Sequence, residues 1–136
     1  MKKLAFIIIL IVIMSILLSV AAFYSEPFVR GNNYVVAANK TVIEECNETD
    51  WVSLSDIKKI QLLSDDTILA DTNITVRTTF TPKWYTWREM SICYHFTAVA
   101  RDMVTNDVIE EKQGTVILTF LFKDMQWIVV SVDKES

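Results

Sequence analysis

The sequence predicts an α+β fold: an N-terminal hydrophobic helix, then one amphipathic helix packed on a curved antiparallel sheet of about four to five strands. Three patterns support this. An uncharged apolar run opens the chain, apolar residues at helical spacing follow it, and long stretches of alternating apolar and polar residues fill the rest. A chain of 136 residues has room for one domain beside such a run. We therefore predict a membrane-targeting segment at 1–24, a tether at 25–33 and a single ectodomain at 34–136.

The opening run is a candidate membrane segment. Lys2 and Lys3 precede Leu4–Tyr24, which carries no charge. At about 1.5 Å per residue, a helix of this length crosses a hydrocarbon core of roughly 30 Å. Small residues at 19–22 also fit a signal-peptide cleavage site, so a retained anchor and a cleaved signal both remain open. Since the lysines favour the cytoplasmic side, either interpretation predicts a domain outside the cytoplasm, membrane-tethered or secreted.

Composition and charge exclude several functions. The chain has 13 Lys and Arg against 17 Asp and Glu, a balance that argues against nucleic-acid binding. The lone histidine, His95, and two separated cysteines cannot form a zinc site. The acid pairs Asp65-Asp66 and Glu110-Glu111 are adjacent residues, which face opposite ways on a strand. We expect no metal, no cofactor and no enzymatic activity.

The ectodomain divides into one helix and a series of strands. Asn33 is predicted to cap a helix reaching about Glu45, with a buried stripe at Val35, Ala38, Val42 and Cys46. Turn signals then separate the predicted strands, with hairpin turns at 65–66, 106–107 and 123–124 and a break at 81–83. The strands are expected at 57–63, 67–80, 88–103, 109–123 and 126–132.

The last two strands are apolar on both faces. Ile117 and Leu121 lie on the face of their strand opposite to the inward-facing residues, and neither face of 127–132 is polar. A strand with two apolar faces needs cover on both sides. We therefore predict a second covered face at the C-terminal hairpin, met by strand curvature, a second copy or another protein.

If the domain is exported, two kinds of covalent modification become candidates. Cys46 and Cys93 are an even pair, for which a disulfide and two buried thiols are both open interpretations. Asn39, Asn47 and Asn73 each begin an N-glycosylation acceptor sequence.

An aromatic cluster at Lys83–Arg88 is the candidate interaction site. Trp84, Tyr85 and Trp87 lie between two cationic residues at a strand entrance. These rings could plug the open end of the core, form a protein or ligand contact surface, or rest on the membrane interface. The sequence leaves the three interpretations open.

One helix followed by a meander of long strands resembles the nuclear-transport-factor-2-like and cystatin-like α+β superfamily. The resemblance covers residues 34–133 and is carried by the closing hairpin at 114–132 and by an earlier predicted hairpin at 60–70. It implies a curved sheet around the helix, with an open end that binds small molecules or partners. The same fold hosts enzymes and adaptors.

We expect a non-enzymatic extracytoplasmic interaction or envelope-associated domain, held by its N-terminal segment in the membrane, with a protein partner or self-association. The alternative is a small-ligand-binding or enzymatic cone-shaped domain. A filled apolar core would favour the first function, and convergent polar groups in a cavity would favour the second.

Overall fold

The α+β fold is confirmed in the computed structural model, which describes residues 1–42 and 53–134. Its helices are α1 (Lys2–Lys40), α2 (Leu54–Ile60) and α3 (Asp65–Leu69). Its strands are β1 (Thr72–Tyr85), β2 (Glu89–Asp102), β3 (Val108–Lys123) and β4 (Gln126–Lys134). The strands form an antiparallel meander in the order β1-β2-β3-β4. The first and third turns of this meander therefore lie at one end of the sheet, and the second turn lies at the other.

All three helices pack on one face of the sheet, here called the inner face. The predicted alternation of β2 is confirmed, since every second residue from Met90 to Ala100 is buried. Trp127, Tyr94 and Phe120 are the largest fully buried side chains, and Ile57 and Ile60 of α2 join them. Burial of apolar surface at about 25 cal/mol per Å2 makes this layer the main source of stability.

Helix α1 is 39 residues long and has two environments. Its N-terminal half is apolar and exposed, whereas Val35 and Ala38 in its C-terminal half are fully buried. Of the described helices, α1 alone is long and apolar enough to cross a membrane, and its most apolar stretch is not buried at all. This half fits a membrane anchor or a signal sequence.

The predicted tether at 25–33 and the separate helix starting at Asn33 are both wrong, because α1 continues through this region. Pro27 and Gly31 favoured the tether, since both disfavour a helix interior. The structure shows how each is accommodated. Proline lacks the N–H that would bond the Phe23 carbonyl, and the indole N–H of Trp127 donates to that carbonyl instead, at 3.0 Å.

Gly31 is required by the close approach of Tyr94. A methyl group at Gly31 would overlap the Tyr94 hydroxyl and would lie 2.6 Å from Cζ of the ring. The hydroxyl donates to the carbonyls of Pro27 and Phe28, at 3.1 and 3.0 Å. Burial raises the pKa of Tyr94 well above its ordinary value, so the hydroxyl keeps its proton for these bonds. Trp127 and Tyr94 thus hold the sheet to one segment of α1, and we call them the helix clamp.

The predicted strand at 57–63 and the hairpin turn at Asp65-Asp66 are also wrong. Ser53 accepts a hydrogen bond from the Asp56 amide at 3.1 Å and caps α2, and Ser64 caps α3 in the same way through Thr67. The paired aspartates lie in the first turn of α3, where the helix dipole favours negative charge. The earlier hairpin of the family resemblance is therefore a pair of short helices.

The edge strand β1 begins later and ends later than predicted. It starts at Thr72 and continues through the expected break at 81–83 to Tyr85, with a register shift between Pro82 and Trp84. Proline is tolerated here because β1 is an edge strand. The extension carries the aromatic cluster to the end of the sheet.

Pro27 and Trp127 are expected to be energetically coupled through the Phe23 carbonyl. Replacing Trp127 with Phe leaves the Phe23 carbonyl without its donor, whereas Pro27→Ala restores an intrahelical donor for that carbonyl. We expect Trp127→Phe to cost about 1 kcal/mol less in the Pro27→Ala background than in the natural chain. Urea unfolding of the full chain in detergent micelles measures the four free energies. Additive costs would show that the indole and the missing amide are not linked.

The two glycines of the chain are expected to respond differently to an added methyl group. Gly31→Ala forces a methyl group against the buried Tyr94 ring, and we expect a net loss of about 2 kcal/mol in spite of the higher helix propensity of alanine. Gly114→Ala is the matched control, because its methyl group meets a movable Leu62 methyl at 2.8 Å. The control should be close to neutral in the same unfolding measurement. Equal costs for the two variants would contradict the packing role of Gly31.

Candidate functional site at the helix exit

Cys93 and His95 share the outer face of the sheet, opposite the helices. The Cys93 sulfur lies 3.8 Å from Nε2 of His95, and Nδ1 of His95 lies 2.9 Å from the Thr115 hydroxyl. A hydroxyl, rather than a carboxylate, therefore orients the ring. Cys46 lies outside the described residues, so the disulfide between Cys46 and Cys93 stays a prediction. The described part of α1 packs on the inner face and not on the face of Cys93.

The three glycosylation candidates have different outcomes. Asn39 is fully buried, and its amide donates to the Val35 carbonyl and accepts from the Leu62 amide, each at 2.9 Å. The prediction for Asn39 is wrong for the folded domain, since that side chain joins α1 to the end of α2. Asn47 lies outside the described residues. Asn73 is exposed at the start of β1, and its glycosylation stays a prediction.

The acidic residues with shifted pKa values stabilise turns and loops. The amides of Thr105 and Val104 donate to the Asp102 carboxylate and lower its pKa. The Thr67 hydroxyl donates to Glu110 at 2.5 Å and, with Lys112, lowers the pKa of that carboxyl. Among residues 1–42 and 53–134, no cluster of three or more potential metal ligands is present.

The aromatic cluster lies where the exposed half of α1 meets the domain. Trp84 is 45% exposed, and Tyr85 and Trp87 are each 73% exposed, so these rings do not plug the core. The Tyr24 hydroxyl donates to the Trp87 carbonyl at 2.9 Å and fixes the tip of the β1–β2 hairpin beside α1. We call the surface formed by Tyr24, Phe28, Tyr85 and Trp87 the helix-exit surface. Trp84 is the cross-strand partner of Ser91, so its ring lies at the same hairpin but on the outer face of the sheet.

A groove of about 630 Å3 runs between α1 and this hairpin. Its walls are almost entirely apolar and come from both elements: Val20, Ala21, Tyr24, Phe28, Pro82, Tyr85, Thr86, Trp87 and Met90. The groove thus begins within the apolar half of α1 and ends on the domain. Sequence reasoning placed the hairpin rings in a candidate site but missed Tyr24 and Phe28, because 1–24 and 25–33 were assigned to an anchor and a tether.

Charges at the helix-exit surface are nearly balanced. The Arg88 guanidinium lies 5.4 Å from the centre of the Trp87 ring, a cation–π distance. Glu26 and Arg30 form an exposed ion pair at 2.6 Å on α1. The arginine also donates to the Trp127 carbonyl. Basic side chains therefore accompany the rings without forming a strongly cationic patch.

The outer face carries a second, smaller apolar area near the same end of the sheet. Leu121 and Ile128 are cross-strand partners, and both are half-buried, as is Ile117. Val130 is 48% exposed. The three described helices all lie on the inner face, so the predicted cover of this outer apolar area stays a prediction.

No protein-family model, curated protein or solved structure matches the chain. The α+β class rests on the observed helices and sheet, and the resemblance to the nuclear-transport-factor-2-like and cystatin-like superfamily stays a prediction.

Proposed function

We propose that the chain is a membrane-anchored, non-enzymatic interaction domain on the extracytoplasmic side. The observation that carries this is the continuity of α1. One helix has an exposed apolar half of membrane-crossing length and a buried half at the centre of the domain. The anchor and the core helix are the same element.

The charge distribution supports an extracytoplasmic domain. Lys2 and Lys3 are the charged residues before Glu26, and cationic residues next to a span stay on the cytoplasmic side. The domain follows the opposite end of the span, so it lies outside the cytoplasm.

The continuity of α1 through the candidate cleavage site favours a retained anchor over a cleaved signal. Phe23 contacts Phe122 and Trp127, with ring centres 4.7 and 5.2 Å apart, and Tyr24 binds the Trp87 carbonyl. Cleavage after Ala21 or Ala22 would keep these two residues, but it would place them at a new helix end and would remove Val20 and Ala21 from the groove beside the hairpin. A signal peptide needs no such continuity with the domain it exports.

The interior favours an adaptor over the alternative enzymatic or ligand-binding cone. The space between α1 and the inner face is filled by Trp127, Tyr94 and Phe120, none of which has appreciable exposed surface. Asn39, a buried polar residue in this region, uses its amide to join α1 to Leu62. Ligand pockets have convergent polar groups around open space, and this interior is packed.

Self-association through the outer face is the interaction we infer. Anchoring places every copy at the same height above the bilayer, so the apolar area around Leu121 and Ile128 in one copy lies level with the same area in another. Identical areas at one height can meet about a twofold axis normal to the membrane. Confinement to one plane also raises the effective concentration of the copies.

Topology and retention of the anchor are tested in the native membrane. We expect a C-terminal reporter that is active only outside the cytoplasm to be active. We also expect the chain to resist alkaline extraction and to keep its N-terminal residues in mass spectra. A reporter active only in the cytoplasm would overturn the orientation. A chain that begins at or near Phe23 would overturn the anchor.

Self-association is tested by Leu121→Lys in the full chain in membranes. We expect normal folding and loss of the cross-linked dimer, because a half-buried outer-face leucine becomes a charge in the contact. Leu69→Lys is the matched control, since Leu69 lies on α3 and is 65% exposed. Loss of folding would place Leu121 in the internal core. Unchanged cross-linking and folding would remove the outer face as an association surface.

A further inference from the structure

The tip of the β1–β2 hairpin lies level with the last part of the apolar run of α1. The hydrogen bond from Tyr24 to Trp87 fixes one contact, and Val20 and Ala21 line the groove opposite Tyr85 and Thr86. Val20 precedes Tyr24 by four residues, or roughly 6 Å along a helix. The hairpin tip therefore extends past Tyr24 toward the N-terminal end of α1.

This level coincides with a bilayer interface when α1 spans the membrane. Counted from Leu4, a hydrocarbon core of roughly 30 Å ends about 20 residues later, close to Tyr24. The hairpin residues beside Val20 and Ala21 would then lie at the boundary between headgroups and acyl chains. If this level were instead in aqueous solvent, the large rings at the hairpin tip would be exposed to water on the side of the domain that faces the membrane.

The exposed side chains of the hairpin match the chemistry of that boundary. Trp84, Tyr85 and Trp87 combine an apolar ring with a polar atom, and such residues are enriched at membrane interfaces. Lys83 and Arg88 flank them and can reach phosphate oxygens while their stems stay among the rings.

We propose that the helix-exit surface binds the outer-leaflet lipid surface, with the β1–β2 hairpin inserted at the interface and a lipid acyl chain in the groove beside α1. This deepens the proposed function and rests on the anchoring of α1. The occupant of the groove follows from its position, because its lower wall is formed by residues of the span. An apolar groove that opens at the level of acyl chains is filled by lipid rather than by water.

The insertion depends on apolar contact more than on net charge. Lys83 and Arg88 are accompanied by Glu26 and Glu89, and the chain as a whole has a net charge of −4. Electrostatic attraction to anionic lipid needs a cluster of basic residues. The hairpin should therefore insert into purely zwitterionic phosphatidylcholine, and its insertion should change little with salt.

Quenching by brominated lipid tests the position of the hairpin. The full chain is reconstituted in phosphatidylcholine vesicles, with and without bromine near the carboxyl end of the acyl chains, and tryptophan emission is compared. We expect brominated lipid to quench the natural chain, and we expect Trp84→Phe/Trp87→Phe to lose most of the quenched fraction. Trp51 and Trp127 remain in both chains, so their contribution cancels in the comparison.

A tryptophan at the far end of the sheet provides the matched control. Val104 is 90% exposed in the β2–β3 turn, so Val104→Trp in the double-Phe background should restore emission that brominated lipid does not quench. The single variants Trp84→Phe and Trp87→Phe repeat the test if the double variant does not fold. Each should lose part of the quenched fraction.

The possible results distinguish a failure of hairpin insertion from a failure of membrane anchoring. Equal quenching of the natural and double-Phe chains would overturn the inserted hairpin while leaving the anchor in place. The same conclusion would follow if the chain is bound to vesicles but its hairpin is quenched by aqueous iodide and not by lipid. The iodide result would make the surface available to a protein partner instead. An N-terminus cut before Phe23 in the native membrane would overturn both.

Discussion

The structure depends on a proline being tolerated inside a long helix. Pro27 removes the hydrogen bond that would hold the Phe23 carbonyl, and the helix continues because Trp127 supplies a donor from the far end of the chain. The Tyr94 hydroxyl shares its one proton between two carbonyls of the next turn, and Gly31 gives its ring room to approach. The helix clamp therefore joins the sheet to α1 at the point where its exposed half begins. Without it, the break expected from the sequence would separate the exposed half of α1 from the domain.

A clamped helix would give the domain a fixed height relative to the proposed anchor. A flexible tether of nine residues would let the domain move freely, and no surface of it would keep a defined distance from the bilayer. The continuous helix removes that freedom. The lipid contact proposed for the hairpin and the side-by-side contact proposed for the outer face both need this geometry. The lipid contact uses the tip of the β1–β2 hairpin and the side-by-side contact uses β3 and β4, so one does not block the other.

Sequence alone predicted the elements whose patterns are local. The alternation from Met90 to Ala100 and the closing hairpin were predicted within one or two residues, because the period of two is set by burial on a single face. The errors at 25–33 and 57–66 have a nonlocal cause. Pro27 is compatible with a helix only because of a residue 100 positions later, and the Ser53 and Ser64 caps competed with an equally regular strand pattern. The aromatic residues of the candidate site were predicted from the sequence. Their exposure and their neighbours on α1 were not, because residues 25–33 were assigned to a tether.

Tyr94, a core residue whose pKa is raised by burial, also has a structural role. A buried side chain with a shifted pKa is often a sign of catalysis. Here the Tyr94 proton is directed at two helix carbonyls, and the buried amide of Asn39 is likewise directed at the backbone. The polar groups of Tyr94 and Asn39 thus hold α1 in place. The largest exposed rings among the described residues lie at the helix exit, beside the apolar half of α1 for which we propose a membrane anchor.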